Sequence, residues 1–169
     1  LARLENILKQ VPEVKKRFVY FEPYSSAPVS QVFDQRSLDN AKIYEVQEFS
    51  NMYYENQGNG RFRGSELPRR AQFAPINQFL VDDVNGDGNL DLLTVGNNYS
   101  SDVESGRYDA SYGLILAGDG QGNFRPMSNA NTGFWVSGDA KDIRKIATKN
   151  GKQMYLVTNN NGGIDLFER

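Results

Sequence analysis

Residues 79–97, F-L-V-D-D-V-N-G-D-G-N-L-D-L-L-T-V-G-N, decide the fold. Two apolar runs flank a segment in which acidic or amide residues alternate with glycine or aliphatic residues. Apolar runs bounded by Gly, Asn and Asp clusters are typical of β-strands joined by turns. The stretch therefore predicts antiparallel strands near 76–82 and 90–96, connected by the polar loop Asp83–Asp91.

The loop has the residue types and the spacing of a calcium site. Ca²⁺ takes about six to eight oxygen ligands, so a binding loop must bend sharply while several oxygens point inward. Asp83, Asn85 and Asp87 occupy alternate positions, and a glycine follows them at the bend. A backbone carbonyl and a closing carboxylate would complete the site. The predicted ligands of a structural Ca²⁺ cofactor are Asp83, Asn85, Asp87, Asn89 through its carbonyl, and Asp91.

Three other interpretations of the loop are weaker. An EF-hand needs a glutamate at the twelfth position, which is Thr94 here, and the following residues predict a strand rather than a helix. Dockerin loops occur in pairs within helical modules, whereas this loop is single and lies among strands. The third interpretation is an Asx-rich turn that binds no ion, because Asp, Asn and Gly favour turns in any case. Repulsion among the loop carboxylates in the absence of a cation favours calcium.

Similar strand and turn patterns continue along the chain. Three turns resemble one another, at residues 56–62, 118–124 and 159–164, and recurring self-similarity indicates stacked units such as propeller blades. Chance recurrence of Gly-Asn hairpins in a β protein is the alternative. The predicted strands lie near 42–49, 51–56, 76–82, 90–96, 112–117, 133–137, 142–148, 153–158 and 163–167.

With its flanks, the loop resembles an FG-GAP or VCBS repeat, the calcium-binding repeat of integrin-α-like β-propellers. The segments that carry this resemblance are Phe79–Asp82, the loop, Leu92–Asn97 and Gly118–Phe124, and residues 67–75 and 106–113 resemble the C-terminal part of large bacterial VCBS-containing surface proteins. The resemblance covers residues 40–169. It implies a mainly β fold of two to three antiparallel propeller-type blades in an incomplete ring, and a metal-free last blade around residues 138–142.

The N-terminal part has a different pattern. Leu1, Leu4, Leu8 and Val11 recur at helical spacing, which predicts a short amphipathic helix before Pro12. Residues 12–40 predict a connector with a second short helix near 29–38. We expect a helical and irregular leader at 1–40 and a β-repeat region at 41–169 within one structural domain, because domains typically contain about 100–200 residues.

Composition excludes several function classes. The chain has no histidine and no cysteine, which removes the commonest general base, thiolate nucleophiles and disulfides. A net charge of −2 offers no basic surplus for nucleic acid. No apolar run approaches the roughly 20 residues that span a bilayer. Acids committed to calcium are poor proton shuttles, so we assign no catalytic residue and expect no enzymatic activity.

These expectations combine into a non-catalytic calcium-binding module of a secreted or cell-surface bacterial protein, with a structural ion and a role in adhesion or in binding a protein or glycan. The alternative is an accessory domain of a polysaccharide-degrading enzyme or uptake complex. The candidate ligand surfaces are the polar loop 97–109 and the aromatic pair Phe134 and Trp135. The alternative for the loop is a solvated insertion without a ligand, and the alternative for the aromatic pair is packing in the core. The start at Leu1 favours a fragment, whose expected partners include upstream repeats or a second copy.

Overall fold

The computed structural model describes residues 3–101 and 105–168. The chain divides into two compact units, Leu1–Gln47 and Glu48–Arg169. Strands account for 34% and helices for 21% of the residues, and every sheet is antiparallel, which confirms the predicted mainly β class.

The first unit consists of short helices around a small apolar core. Its elements are α1 (Leu4–Gln10), a 3₁₀ turn (Pro12–Lys16), α2 (Phe21–Ser26), α3 (Val29–Val32) and α4 (Gln35–Asp39). The amphipathic helix is confirmed for residues 4–10, while Leu1 lies outside the described residues. The helix predicted near 29–38 is interrupted, because the Asp34 carboxylate accepts the amide of Ser37 at 2.8 Å and so caps a new helix.

The strand predicted at 42–49 is wrong. Residues 41–49 form no regular secondary structure, all of their side chains are exposed, and they have no ladder partner among the described residues. Their β-branched and aromatic residues favour a strand, but that preference is realised only when a neighbouring strand supplies hydrogen bonds and packing.

The second unit contains one antiparallel hairpin and two antiparallel meanders among its described residues. The strands are β1 (Met52–Gly58), β2 (Arg61–Glu66), β3 (Ile76–Asp82), β4 (Asp91–Gly96), β5 (Leu114–Gly118), β6 (Phe124–Pro126), β7 (Ala140–Ala147), β8 (Gln153–Asn159) and β9 (Ile164–Glu168). They form a first sheet β1–β2, a second sheet β3–β4–β5–β6 and a third sheet β7–β8–β9. A 3₁₀ turn (Arg69–Gln72) and helix α5 (Asn129–Thr132) complete the unit.

Two strands were missed, and a second strand, after that at 42–49, was predicted wrongly. β2 has all its residues exposed and β6 is three residues long, so neither shows the alternation on which prediction depends. Residues 133–137 are not a strand: Gly133 is left-handed after α5, and Val136 donates a single backbone bond to Tyr112 at 2.9 Å. One backbone bond does not make a ladder.

The second sheet is packed on both faces. On one face Leu93, Val95 and Ile115 form a buried cluster with Ile143 and Val157 of the third sheet. On the other face, a cluster of Leu114, Leu116, Leu67 and Ala71 packs against Tyr53 of β1. The predicted calcium loop is the β3–β4 turn of this central sheet.

Candidate functional site

Asp83 is the centre around which the β3–β4 loop folds. Its Oδ1 accepts the amides of Gly86 at 2.7 Å and Asp87 at 3.2 Å, and its Oδ2 accepts the amide of Gly88 at 3.0 Å. Gly86 and Gly88 have φ angles of 77° and 87°, which glycine adopts without strain. The backbone therefore wraps the first carboxylate as a calcium loop requires.

Asn85 and Asp87 lie at the exposed rim of the loop and bond to each other. Asn85 Nδ2 donates to Asp87 Oδ2 at 2.9 Å, and Asn85 Oδ1 accepts the Asp87 amide at 2.8 Å. Asp87 Oδ1 accepts the amide of Asn89 at 2.8 Å. The Asn89 amide, followed by the Asn85 side chain, lowers the pKa of Asp87. This carboxylate is ionised at neutral pH.

Asp91 differs from the other predicted ligands because it is 0% exposed. Its Oδ2 accepts the Val84 amide and its Oδ1 the Gly118 amide, each at 3.0 Å. It thus ties the start of the loop to the end of β5. Gly118 permits this approach, since a Cβ there would lie 2.2 Å from the carbonyl oxygen of Leu90.

Asn89 lies between two turns. Its amide belongs to the loop, while its side-chain oxygen lies against Gly120 in the β5–β6 turn, 2.7 Å from where a Cβ would stand. The predicted ligand set is therefore gathered in one loop, but its members face different neighbours.

The donor types and the backbone conformation of the loop fit calcium. The side chains, however, hydrogen-bond to one another and to amides of the loop rather than converging on one point. In residues 3–101 and 105–168 no three His, Cys, Asp or Glu side chains converge as a metal-holding group. Amide N–H groups donate to the carboxylates and stabilise their negative charge. Repulsion between the carboxylates therefore does not by itself require a cation. Ion binding requires the exposed side chains of Asn85 and Asp87 to exchange their mutual hydrogen bond for the ion.

Asp82 precedes the loop and has a structural role. Its Oδ2 lies 2.7 Å from Lys145 Nζ and accepts the Tyr155 hydroxyl at 2.7 Å. Both partners belong to the third sheet. This carboxylate connects two sheets and is not available as a further ligand.

The β5–β6 turn repeats the Asx construction with a single carboxylate. Asp119 Oδ1 accepts the amides of Gln121 at 2.8 Å and Asn123 at 3.1 Å, and its Oδ2 accepts Asn123 Nδ2 at 2.7 Å. The Asn123 side chain, then the Gln121 amide, lowers the pKa of Asp119. This turn is a natural comparator for the β3–β4 loop.

Sequence reasoning missed Asn97, which links the end of β4 to the segments that precede β5 and β7. It is 2% exposed with a φ of 85°, and its Nδ2 donates to the carbonyls of Ser111 at 2.8 Å and Gly138 at 2.7 Å. The sequence marks it only as an asparagine that follows a strand.

Asp139 is one of two carboxylates, with Asp142, in the repeat predicted to be metal-free. Burial acts to raise its pKa, but hydrogen bonds from Lys141 and Asn160 outweigh burial and leave the pKa lowered. Lys141 Nζ lies 2.6 Å from Oδ1, and Asn160 Nδ2 donates to Oδ2 at 3.1 Å.

The polar loop 97–109 is closed by a small bridge. Asn98 and Tyr108 exchange backbone hydrogen bonds at 2.8 and 3.0 Å, and the Arg107 guanidinium lies 4.8 Å from the centre of the Tyr99 ring. Residues 102–104 of this candidate surface lie outside the described residues. Beside it is a polar cleft of about 480 Å³, lined by Tyr99, Arg107, Asp139 and Asn160 among others.

The aromatic candidates separate into a core residue and a surface residue. Phe134 is buried, whereas Trp135 is half exposed and stacks on Tyr112 with ring centroids 4.8 Å apart at 29°. The sequence predicted that one of the two faces inward but not which one. An exposed, stacked aromatic pair is a surface on which a sugar ring can lie.

No family model, curated protein or solved structure matches the chain significantly. The FG-GAP/VCBS resemblance therefore depends on the quoted sequence segments alone. Within the described residues, no helix is long and apolar enough to cross a membrane.

Proposed function

We propose that this chain is a non-catalytic module of a secreted or cell-surface protein whose β3–β4 loop binds a structural Ca²⁺, and which acts in adhesion or ligand binding. The observation that carries the proposal is the wrapping of three amides around the Asp83 carboxylate between two strands. Asn85 and Asp87 add further oxygen donors beside Asp83, and calcium prefers hard oxygen ligands of this kind.

The predicted consequence is a calcium-dependent melting temperature. Calcium at about 100 times its Kd stabilises the folded state by about 2.7 kcal/mol. For a chain of this size, that raises the melting temperature by about 5–10 °C. Differential scanning calorimetry of metal-free protein, with calcium and with excess chelator, measures the shift. Identical curves in both conditions, together with no calcium in elemental analysis of native protein, would refute the site.

Matched variants locate the effect. Asp87→Asn removes a carboxylate from the exposed rim of the loop, and we expect it to abolish most of the calcium-induced shift. Asp119→Asn removes the corresponding carboxylate from the β5–β6 turn, which has the same Asx hydrogen bonds but a single acid. This control should retain the full shift. An equal loss in both variants would mean that calcium acts elsewhere.

We infer that the three sheets are successive propeller-type repeats. The support is that the sheets are antiparallel, join strands consecutive in the chain and pack face to face, and that the second sheet has the number of strands of one blade. Two or three blades do not close a ring, since propellers have about four to eight. The partners proposed for the open faces are upstream repeats of a longer chain or a second copy.

Glycan binding, as in an accessory domain of a polysaccharide-degrading system, is the second candidate. The stacked pair of Trp135 and Tyr112 favours it. Because Trp135 is the sole tryptophan of the chain, its fluorescence reports ligand binding without background from other tryptophans. Titration with a panel of oligosaccharides should shift or quench this emission, and Tyr112→Ala should weaken the response. Unchanged emission across the panel would exclude the surface as a glycan site.

A further inference from the structure

One face of the second sheet is covered at β5 and bare at β3. The register places Phe79 opposite Thr94, and Thr94 opposite Leu114, so these side chains share a face. On that face Leu116 is 0% exposed, whereas Phe79 is 55% and Val81 45% exposed. The first sheet covers only part of its neighbour.

The bare part forms an apolar groove of about 800 Å³ beside β1. Its floor includes Phe79, Val81 and Leu92, and its wall includes Met52 and Tyr54 of β1. β1 pairs with β2 on one side, and its other edge pairs with no strand among the described residues. The first sheet has two strands, whereas the second has four. The groove therefore lies where a third strand of the first sheet would stand, beside the free edge of β1.

An extended polypeptide strand is the occupant that fits both the apolar groove and the free edge of β1. The free edge of β1 offers backbone N–H and C=O groups for a ladder, and alternate side chains of an added strand would cover the apolar floor. Such a strand would extend the packing surface that already joins the first and second sheets.

The chain itself carries a segment with this chemistry. Residues 41–49, A-K-I-Y-E-V-Q-E-F, are rich in β-branched and aromatic residues. Ile43 is 84% and Phe49 87% exposed. We propose that residues 41–49 of a second copy of the chain add as a strand to the free edge of β1 and fill the groove.

The link between this segment and β1 favours exchange between copies. Only Ser50 and Asn51 separate Phe49 from β1, and a two-residue hairpin requires positive φ angles that neither of them has. Asn51 is held at this position, because its amide donates to Gln72 Oε1 and its Nδ2 to the Ala71 carbonyl, both at 2.7 Å. Short links of this kind favour swapping of an element between protomers.

Cross-linking between two variants tests the proposal directly. The chain has no cysteine, so Val46→Cys in one preparation and Tyr54→Cys in another carry single thiols. After mixing and treatment with a short bis-maleimide, we expect a covalent dimer that contains one chain of each variant. Ser65→Cys on β2, which does not line the groove, replaces Tyr54→Cys in the control and should give far less product. Equal yields with Tyr54→Cys and Ser65→Cys would overturn the proposal. So would linkage only within one chain when a single chain carries both Val46→Cys and Tyr54→Cys.

Sedimentation equilibrium provides an independent measurement. The wild type should show concentration-dependent dimerisation that Phe79→Lys abolishes. Phe73→Lys is the matched control, because Phe73 is 52% exposed but does not line the groove. A strictly monomeric wild type, or a dimer insensitive to Phe79→Lys, would contradict strand exchange. The proposal builds on the self-association proposed above. Because Gly88, Asn89 and Leu90 of the β3–β4 loop also line the groove, the melting shift of the monomeric Phe79→Lys variant tests the metal site in the absence of the added strand.

Discussion

Two aspartates in one loop perform different tasks. Asp83 gathers backbone amides within the loop, whereas the buried Asp91 connects the loop to β5. The sequence assigned both to the same ligand set, since spacing alone does not reveal which side a carboxylate faces. Asp91 therefore has a structural role in addition to its predicted role as a ligand.

Replacing Asp91 should therefore destabilise the fold even without calcium. Asp91→Ala leaves the partly buried amides of Val84 and Gly118 without their acceptor, and an unpaired donor costs about 1–3 kcal/mol where it is buried. We expect the free energy of unfolding in excess chelator to fall by about 2 kcal/mol or more, as measured by urea titration. Asp87→Asn, at the exposed rim, should change it far less under the same conditions. Comparable losses would contradict the distinction between the two acids.

The hairpin turns position these aspartates because glycines let strands and loops approach closely. Gly118 is the clearest case, because the carbonyl of Leu90 occupies the place of a Cβ. The sequence placed this glycine in a turn, but the close approach arises only when the β3–β4 loop folds against the end of β5.

Gly118→Ala should consequently disturb the calcium loop from outside it. Overpacking at a close contact costs about 1–3 kcal/mol, and the contact with Leu90 would displace Asp91 from its amide partner. Chemical denaturation should show the loss, and calorimetry should show a smaller calcium-induced melting shift. Gly163→Ala is the control, because no atom lies within 4 Å of a Cβ built there. Equal effects at the two glycines would exclude the steric explanation.

Several carboxyl groups among the described residues have a pKa below the ordinary value. These groups are Asp34, Glu48, Asp87, Asp119, Asp139 and Asp142. A carboxyl group whose pKa is lower in the folded than in the unfolded state stabilises the fold at any pH above the unfolded-state pKa. That contribution is lost as the pH falls through the folded-state value.

The free energy of unfolding should thus hold steady near neutral pH and fall in acid. For Asp139 the loss begins below its ordinary pKa of 3.8. Asp139→Asn removes one titrating group that is buried beside Lys141. The free energy of unfolding of this variant should therefore decline less steeply over that acid range than that of the wild type. Urea titrations across the acid range, with chelator present, measure both slopes. Parallel curves for the two proteins would show that Asp139 does not contribute to the acid dependence.

The sequence by itself determined the mainly β class, the antiparallel order of most strands and the position of the Asp83–Asp91 loop. These features depend on local alternation and on turn residues, which act over a few positions. Tertiary structure alone decided that Asp91 and Asn97 are buried connectors, that Phe134 faces the core while Trp135 does not, and that residues 41–49 form no strand. Each of these outcomes depends on what a distant segment places beside the residue, and that information is absent from the residue's own neighbours in the chain.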